Sequence, residues 1–187
     1  MTGLRISRDL TEETLAGKYI FLDNDFLSTL FLDYQTLTDL LDLCKRGHIL
    51  IDPFTRFEFL QTVYLPKQRE LKESFVDSDI FIPATDHQTV NSQVRDNAYT
   101  LSYLYAHNNC KGAGVVDLFL AGRSVLHSPN SVIITGNKKH FPDVIFDMLG
   151  VLNREENGNV RAYSAVSFNR SKYDTAVQTW RDLPKID

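Results

Sequence analysis

Residues 19–30 read YIFLDNDFLSTL. Tyr19 to Leu22 form a short β-prone apolar run, which leads directly into Asp23, Asn24 and Asp25, and a helix is expected to begin near Phe26. Outward from this stretch the chain keeps alternating between strand-like and helix-like runs. His48 to Ile51 reads as a second buried strand, and Pro53 suits the first position of a helix running towards Tyr64, which Pro66 would close. Ile80 to Ile82 reads as a third strand and Ser131 to Thr135 (SVIIT) as a fourth. Between them, Leu37, Leu40, Leu41 and Cys44 recur at i, i+3, i+4 and i+7, a helical stripe that Gly47 ends. Lys67 to Asp77 reads as an exposed helix, Val90, Val94, Ala98, Leu101 and Tyr105 step along a long amphipathic one, and Gly114 to Leu126 is apolar on most of its circumference. Such alternation predicts an α/β fold: a central, mostly parallel sheet with right-handed crossovers and helices on both faces.

The segment from Val151 onward holds a polar turn at Arg154 to Asn159, a strand at Val160 to Val166 and a final helix with Tyr173, Ala176, Val177 and Trp180 on one face. The expected organisation is an N-terminal arm at 1–17, an α/β domain at 18–150 and a C-terminal extension at 151–187 packed on it.

Composition excludes several classes. The chain has 187 residues, 43% of them hydrophobic, and 20 Lys+Arg against 24 Asp+Glu give a net charge of -4. That is enough chain for one packed core, and no whole-molecule basic field announces a nucleic acid or a membrane. Cys44 and Cys110 form no CxxC pair, so a zinc ribbon and a disulfide framework are excluded and two core thiols in a reducing compartment are expected. The N-terminal residues lack an apolar signal region, and no run approaches the roughly 18 apolar residues of a membrane span. A cytoplasmic protein with no membrane partner is the expectation.

Three acids stand out by position. Ligands of an open parallel sheet gather beyond the carboxyl ends of its strands, and Asp23 sits there; its neighbour Asp25 reads either as a helix cap or as part of a site. Glu58, in PFTRFEFLQ, lies among Phe54, Phe57, Phe59 and Leu60, where a carboxylate needs a partner, either Arg56 or Arg95 or a ligand. Asp117, in GVVDLFLAG, is the only charge between Lys111 and Arg123, so it reads either as a buried ion pair with Arg123 or a lysine, or as a site acid facing the gap beside Gly114 and Ala121. Three acids brought together repel one another unless a cation holds them, and oxygen-only ligands select Mg²⁺ or Mn²⁺. His48, His87, His107, His127 and His140 show no zinc spacing and read as surface or packing histidines.

These motifs resemble those of the PIN-domain nucleases, the family that includes the VapC-type toxins, over about Lys18 to Gly150. The matching pieces are Leu22-Asp23-Asn24-Asp25-Phe26-Leu27, Glu58 on the helix after the second strand, the set Gly114, Asp117 and Ala121, and Thr135, Asn137, His140 and Phe141 in SVIITGNKKHF. The resemblance implies a three-layer α/β/α fold and a metal-dependent endoribonuclease. In it Asp23, Glu58 and Asp117 hold one or two Mg²⁺ or Mn²⁺ ions, Asn137 completes the catalytic set, and water attacks the phosphodiester with the 3′ oxygen leaving. It also implies RNA as substrate, an antitoxin protein as partner and a homodimer as assembly. Lys138, Lys139 and Arg123, with Lys111 and Arg95, are the candidate phosphate contacts.

Two departures matter. The position of Asp25 is commonly Asn in the family, and Asn137 occupies a place that is often an acid, which leaves its amide carbonyl to ligate or to orient water. The missing acid favours a rival reading, a PIN-like module that binds RNA or protein without cutting. A further rival is a haloacid-dehalogenase-like phosphatase with Asp23-x-Asp25 as its nucleophile motif and Thr135, Lys138, Asp143 and Asp147 behind it, but it gives Glu58 and Asp117 no role.

Overall fold

The computed structural model describes residues 4–61, 63–110, 112–156 and 158–182. The chain runs β1 (Leu4–Ile6), α1 (Glu12–Leu15), β2 (Tyr19–Leu22), α2 (Asn24–Leu32), α3 (Tyr34–Leu43), β3 (His48–Ile51), α4 (Pro53–Gln61) and α5 (Pro66–Val76). It continues with β4 (Ile82–Pro83), α6 (Gln88–His107), α7 (Val115–Leu126), β5 (Ser131–Thr135), a 3-10 turn (Lys138–His140), β6 (Phe146–Glu156), β7 (Asn159–Phe168) and α8 (Arg170–Arg181). All seven strands join one sheet in the order β1-β6-β7-β5-β2-β3-β4. The pairs β5–β2, β2–β3 and β3–β4 are parallel, while β7 is antiparallel to β5 and β6, and β1 is antiparallel to β6. Five strands therefore point one way, and β1 and β7 oppose them.

Alternation along the central strands splits the core between the two faces. Ile20, Leu22, Ile49, Ile51, Val132 and Ile134 pack with residues of α1 to α5. Phe21, Leu50, Ile133 and Val166 pack with Leu101 and Leu104 of α6, Leu120 and Val125 of α7, and Ala176 of α8. Helices α6 and α7 approach closely because position 122 carries no side chain: a Cβ on Gly122 would stand 2.6 Å from the Val94 carbonyl oxygen and 3.1 Å from the Ala98 nitrogen. The apolar face of α8 packs on the domain, with Trp180 stacked on Tyr103 of α6 at 5.4 Å between ring centroids.

The elements differ from expectation where local signals compete. Pro66 is the first residue of α5 rather than the stop of α4, since its fixed φ suits either position. Strand β4 starts at Ile82 and not Ile80. Strand β6 runs across residue 150, and β7 lies between β6 and β5 in the sheet. The polar turn read from Arg154 to Asn159 is mostly strand: Arg154 pairs with Arg161 and Glu155 with Val160. A register shift between Met148 and Gly150 breaks the period-2 alternation that would have announced β6. Arg154, for its part, donates to Asp33 at 2.9 Å, tying β6 to the cap of α3. Lys111, one candidate phosphate contact, and residues 183–187 of the C-terminal segment lie outside the described residues. No helix among the described residues is long and apolar enough to cross a membrane.

One ion pair lies inside the fold. Arg123 Nε donates to Asp52 Oδ2 at 2.8 Å with both side chains fully buried, and Arg123 Nη1 donates to the Thr85 carbonyl at 2.7 Å. Asp52 Oδ1 also accepts from the Phe54 N–H at 2.8 Å, capping α4. Removing one member leaves an uncompensated buried charge. Arg123→Met is expected to destabilise the protein by about 3–5 kcal/mol in denaturant unfolding, and adding Asp52→Asn, which keeps the cap, is expected to recover a large part of that loss. A double variant as unstable as the single one would show that the unpaired charge is not the cause.

Candidate functional site

Three parallel strands deliver polar residues to one end of the sheet. Asp23 follows β2, Asp52 follows β3, and Gly136 and Asn137 follow β5. Helices α4 and α7 then bring Glu58 and Asp117 to the same end. All four residues expected to carry chemistry, Asp23, Glu58, Asp117 and Asn137, line a single pocket of about 310 Å³. Asn24, Asp25 and His140 line it too, with Gly114, Val115 and Val116 as wall.

Asp23 is 5% exposed and caps α2, its Oδ1 accepting from the Asn24 N–H at 2.7 Å. Its Oδ2 accepts from the Thr135 hydroxyl at 2.6 Å, and Thr135 Oγ1 in turn accepts from the Asn137 N–H at 2.9 Å. Burial pushes the Asp23 carboxyl up to about 6, and the charges of Asp25 and Asp117 add to the rise against the hydrogen bonds from Thr135 and Asn24. Helix α2 thus begins at Asn24, two residues before the expected start, and Asp25 lies inside its first turn. Asp25 Oδ1 accepts from the Gly136 N–H at 3.2 Å, an approach that a Cβ at residue 136 would obstruct.

Glu58 finds neither arginine proposed for it. Arg56 pairs with Asp77 at 2.9 Å, and Arg95 lies 3.5 Å from Asp96. Its carboxyl is raised, first by burial and then by Asp117 and Asp25, while a hydrogen bond from the Asn24 side chain opposes the rise. Asp117 does not meet Arg123. Its Oδ2 accepts from the Gly114 N–H at 2.6 Å, closing the first turn of α7, and lies 3.0 Å from His140 Nδ1. His140 is therefore a pocket residue and not merely a surface or packing histidine.

The candidate phosphate contacts divide. Lys138 Nζ donates to the Phe141 carbonyl at 2.9 Å and to Asp143 at 2.7 Å, and Lys139 is exposed on the same turn. Arg123 is corrected: its side chain is buried against Asp52, away from any groove, because α7 turns that face into the core. Two site features escaped the sequence reading. Asp52 gave no signal beyond following a strand, and Arg161, 3.6 Å from Asp25, lies on a strand whose pairing only the assembled sheet reveals.

No three His, Cys, Asp or Glu side chains among the described residues converge into a metal cage. The donor chemistry nevertheless suits a hard divalent cation. Asp23, Glu58 and Asp117 supply carboxylate oxygens, Asn137 an amide oxygen, and the mutual charge of the acids is the strain that a cation relieves. No family model, no curated protein and no solved structure matches this chain.

The raised carboxyl has a signed consequence for stability. Folded Asp23 holds its proton more tightly than the unfolded chain does, so between about pH 4 and pH 6 the native state binds more protons and stability falls as pH rises. Above that window ionised Asp23 costs roughly 1–3 kcal/mol. Asp23→Asn, which can still cap α2, is expected to be more stable than wild type at neutral pH and to flatten the decline between about pH 4 and pH 6 in denaturant unfolding. A variant no more stable than wild type at neutral pH would contradict this.

Proposed function

We propose that the protein is a metal-dependent endoribonuclease with a PIN-like, three-layer α/β/α fold. The observation that carries this reading is the meeting of Asp23, Glu58, Asp117 and Asn137, from β2, α4, α7 and the turn after β5, in one pocket at the carboxyl end of the parallel strands. Asp23, Glu58 and Asp117 would hold Mg²⁺ or Mn²⁺, with Asn137 offering a further oxygen. When bound, the ion would neutralise developing charge on the phosphate and lower the pKa of a water. The chain's own residues do the positioning. Thr135 fixes the Asp23 carboxylate from one side and the Asn24 N–H from the other, and the Gly114 N–H holds Asp117, with His140 Nδ1 3.0 Å away. Asp25 restrains the Gly136 loop that presents Asn137. An antitoxin that covers the pocket and a homodimeric assembly belong to the same proposal, as does a cytoplasmic location.

A second reading has an observation in its favour. Asp117 is turned to its own helix terminus, no three acids among the described residues converge into a metal cage, and position 137 carries an amide, all of which suit a PIN-like module that binds RNA or a protein without cutting it. The phosphatase reading has no such support, because Lys138 is engaged by Phe141 and Asp143 and not by Asp23.

Wild type is expected to cleave a mixed pool of single-stranded and structured RNA in Mn²⁺ and to stop when the metal is chelated. Asp117→Asn is expected to lose more than the roughly 10–100-fold that outer groups of a metal site cost, while its thermal unfolding stays close to wild type. Absence of metal-dependent cleavage in wild type, together with no Mn²⁺ binding in calorimetry, refutes the enzyme reading.

A further inference from the structure

Asp23, Asp25, Glu58 and Asp117 all line the pocket, and a phosphodiester is itself an anion. Holding RNA there calls for a protein cation at the rim as well as any metal within it. Three of the basic residues expected from the sequence are engaged or misplaced: Lys138 on Asp143, Arg95 beside Asp96, and Arg123 in the core. Strand β7 supplies another. The Arg161 guanidinium lies 3.6 Å from Asp25 Oδ2, an ion pair too long to be a hydrogen bond, and its side chain is 54% exposed.

The position is supported from beneath. The guanidinium lies over the Tyr163 ring, 5.2 Å from its centroid. Tyr163 is fully buried, shares a 2.6 Å hydrogen bond with the Thr29 hydroxyl and packs on Phe26 at 4.6 Å between centroids. Asp25, on the pocket side, is fixed by the Gly136 N–H. A fork of N–H donors seated on an aromatic face, loosely paired and open to solvent at the edge of an acid pocket, has the geometry with which arginine takes phosphate oxygens in pairs.

We infer that Arg161 is a substrate-binding residue of this pocket, gripping a backbone phosphate of a single-stranded RNA next to the one that is cut. This rests on the nuclease reading above. The competing account is a surface ion pair with Asp25, which contributes little to stability and nothing to binding.

The test uses the full-length protein and a short labelled single-stranded RNA of mixed sequence. Binding is measured by anisotropy in Ca²⁺ over a range of KCl, and cleavage by initial rates in Mn²⁺. Arg161→Ala is expected to weaken binding roughly tenfold, to lower the salt-dependence slope by about 0.7 and to raise KM with kcat little changed, with unaltered thermal unfolding. Arg161→Lys is expected to restore the slope but only part of the affinity, because a point charge lacks the fork. If Arg161→Ala matches wild type in affinity, slope and KM while wild type cleaves, the role of Arg161 is overturned and the nuclease reading stands. Weaker binding accompanied by a lower melting temperature and an unchanged slope also overturns it, in favour of a structural role. A wild type that neither binds nor cleaves the RNA overturns both.

Discussion

The buried pair of Asp52 and Arg123 is the constraint around which the rest is arranged. Two charges in a dry interior persist only with close mutual contact and further hydrogen bonds, and here each has them: Asp52 caps α4 through the Phe54 N–H, and Arg123 donates to the Thr85 carbonyl. Asp52 thus ties α4 and α7 to the end of β3, and Arg123 ties α7 to the segment after β4. Helix α4 is held where it starts at Pro53, five residues before Glu58, and α7 is held at Arg123, six residues beyond Asp117. The spacing of two pocket acids is thus set by an ion pair that is not itself in the pocket. Gly122, beside Arg123, lets α7 lie against the backbone of α6 and keeps that geometry tight.

Within the pocket, structural and chemical duties fall on the same side chains. Asp23 caps α2, Asp117 closes the first turn of α7, and Asp25 holds the loop after β5. Capping explains why an acid is tolerated at each place, since N-terminal N–H groups favour negative charge. It does not explain why several acids should crowd together where burial already raises the carboxyls of Asp23 and Glu58 and the neighbouring acids add to the rise. An arrangement tuned only for stability would not accumulate that repulsion, and local departures of this kind concentrate at functional sites.

The C-terminal segment from β6 onward changes the meaning of the sheet. Strand β7 inserts beside β5, so the parallel half, which holds the acids, is backed by an antiparallel half that adds Arg154 at the cap of α3 and Arg161 at the rim of the pocket. A segment that reads as an appendage shares the sheet that carries the site. The N-terminal segment packs closely at Gly150 as well, since a Cβ there would stand 2.7 Å from Leu10.

Local pattern was enough for β2, β3, β5, the α3 and α7 helices and the long α6, because side-chain periodicity and helix-breaking residues are properties of neighbours along the chain. It was enough, too, to single out Asp23, Glu58 and Asp117, whose residue type conflicts with apolar surroundings or whose place follows a strand, while Asn137 was singled out only by the family resemblance. Strands β1 and β6 were not legible, one being too short and the other interrupted by a bulge. Nor were the partners of any charge. That Arg123 meets Asp52 and not Asp117, that His140 meets Asp117, and that Arg161 reaches Asp25 are decided only when distant segments cross. A side chain's propensity depends on its neighbours in sequence, but the partner that neutralises a charge is whichever group the packed sheet and helices bring within a few ångströms, and burial then makes that choice binding.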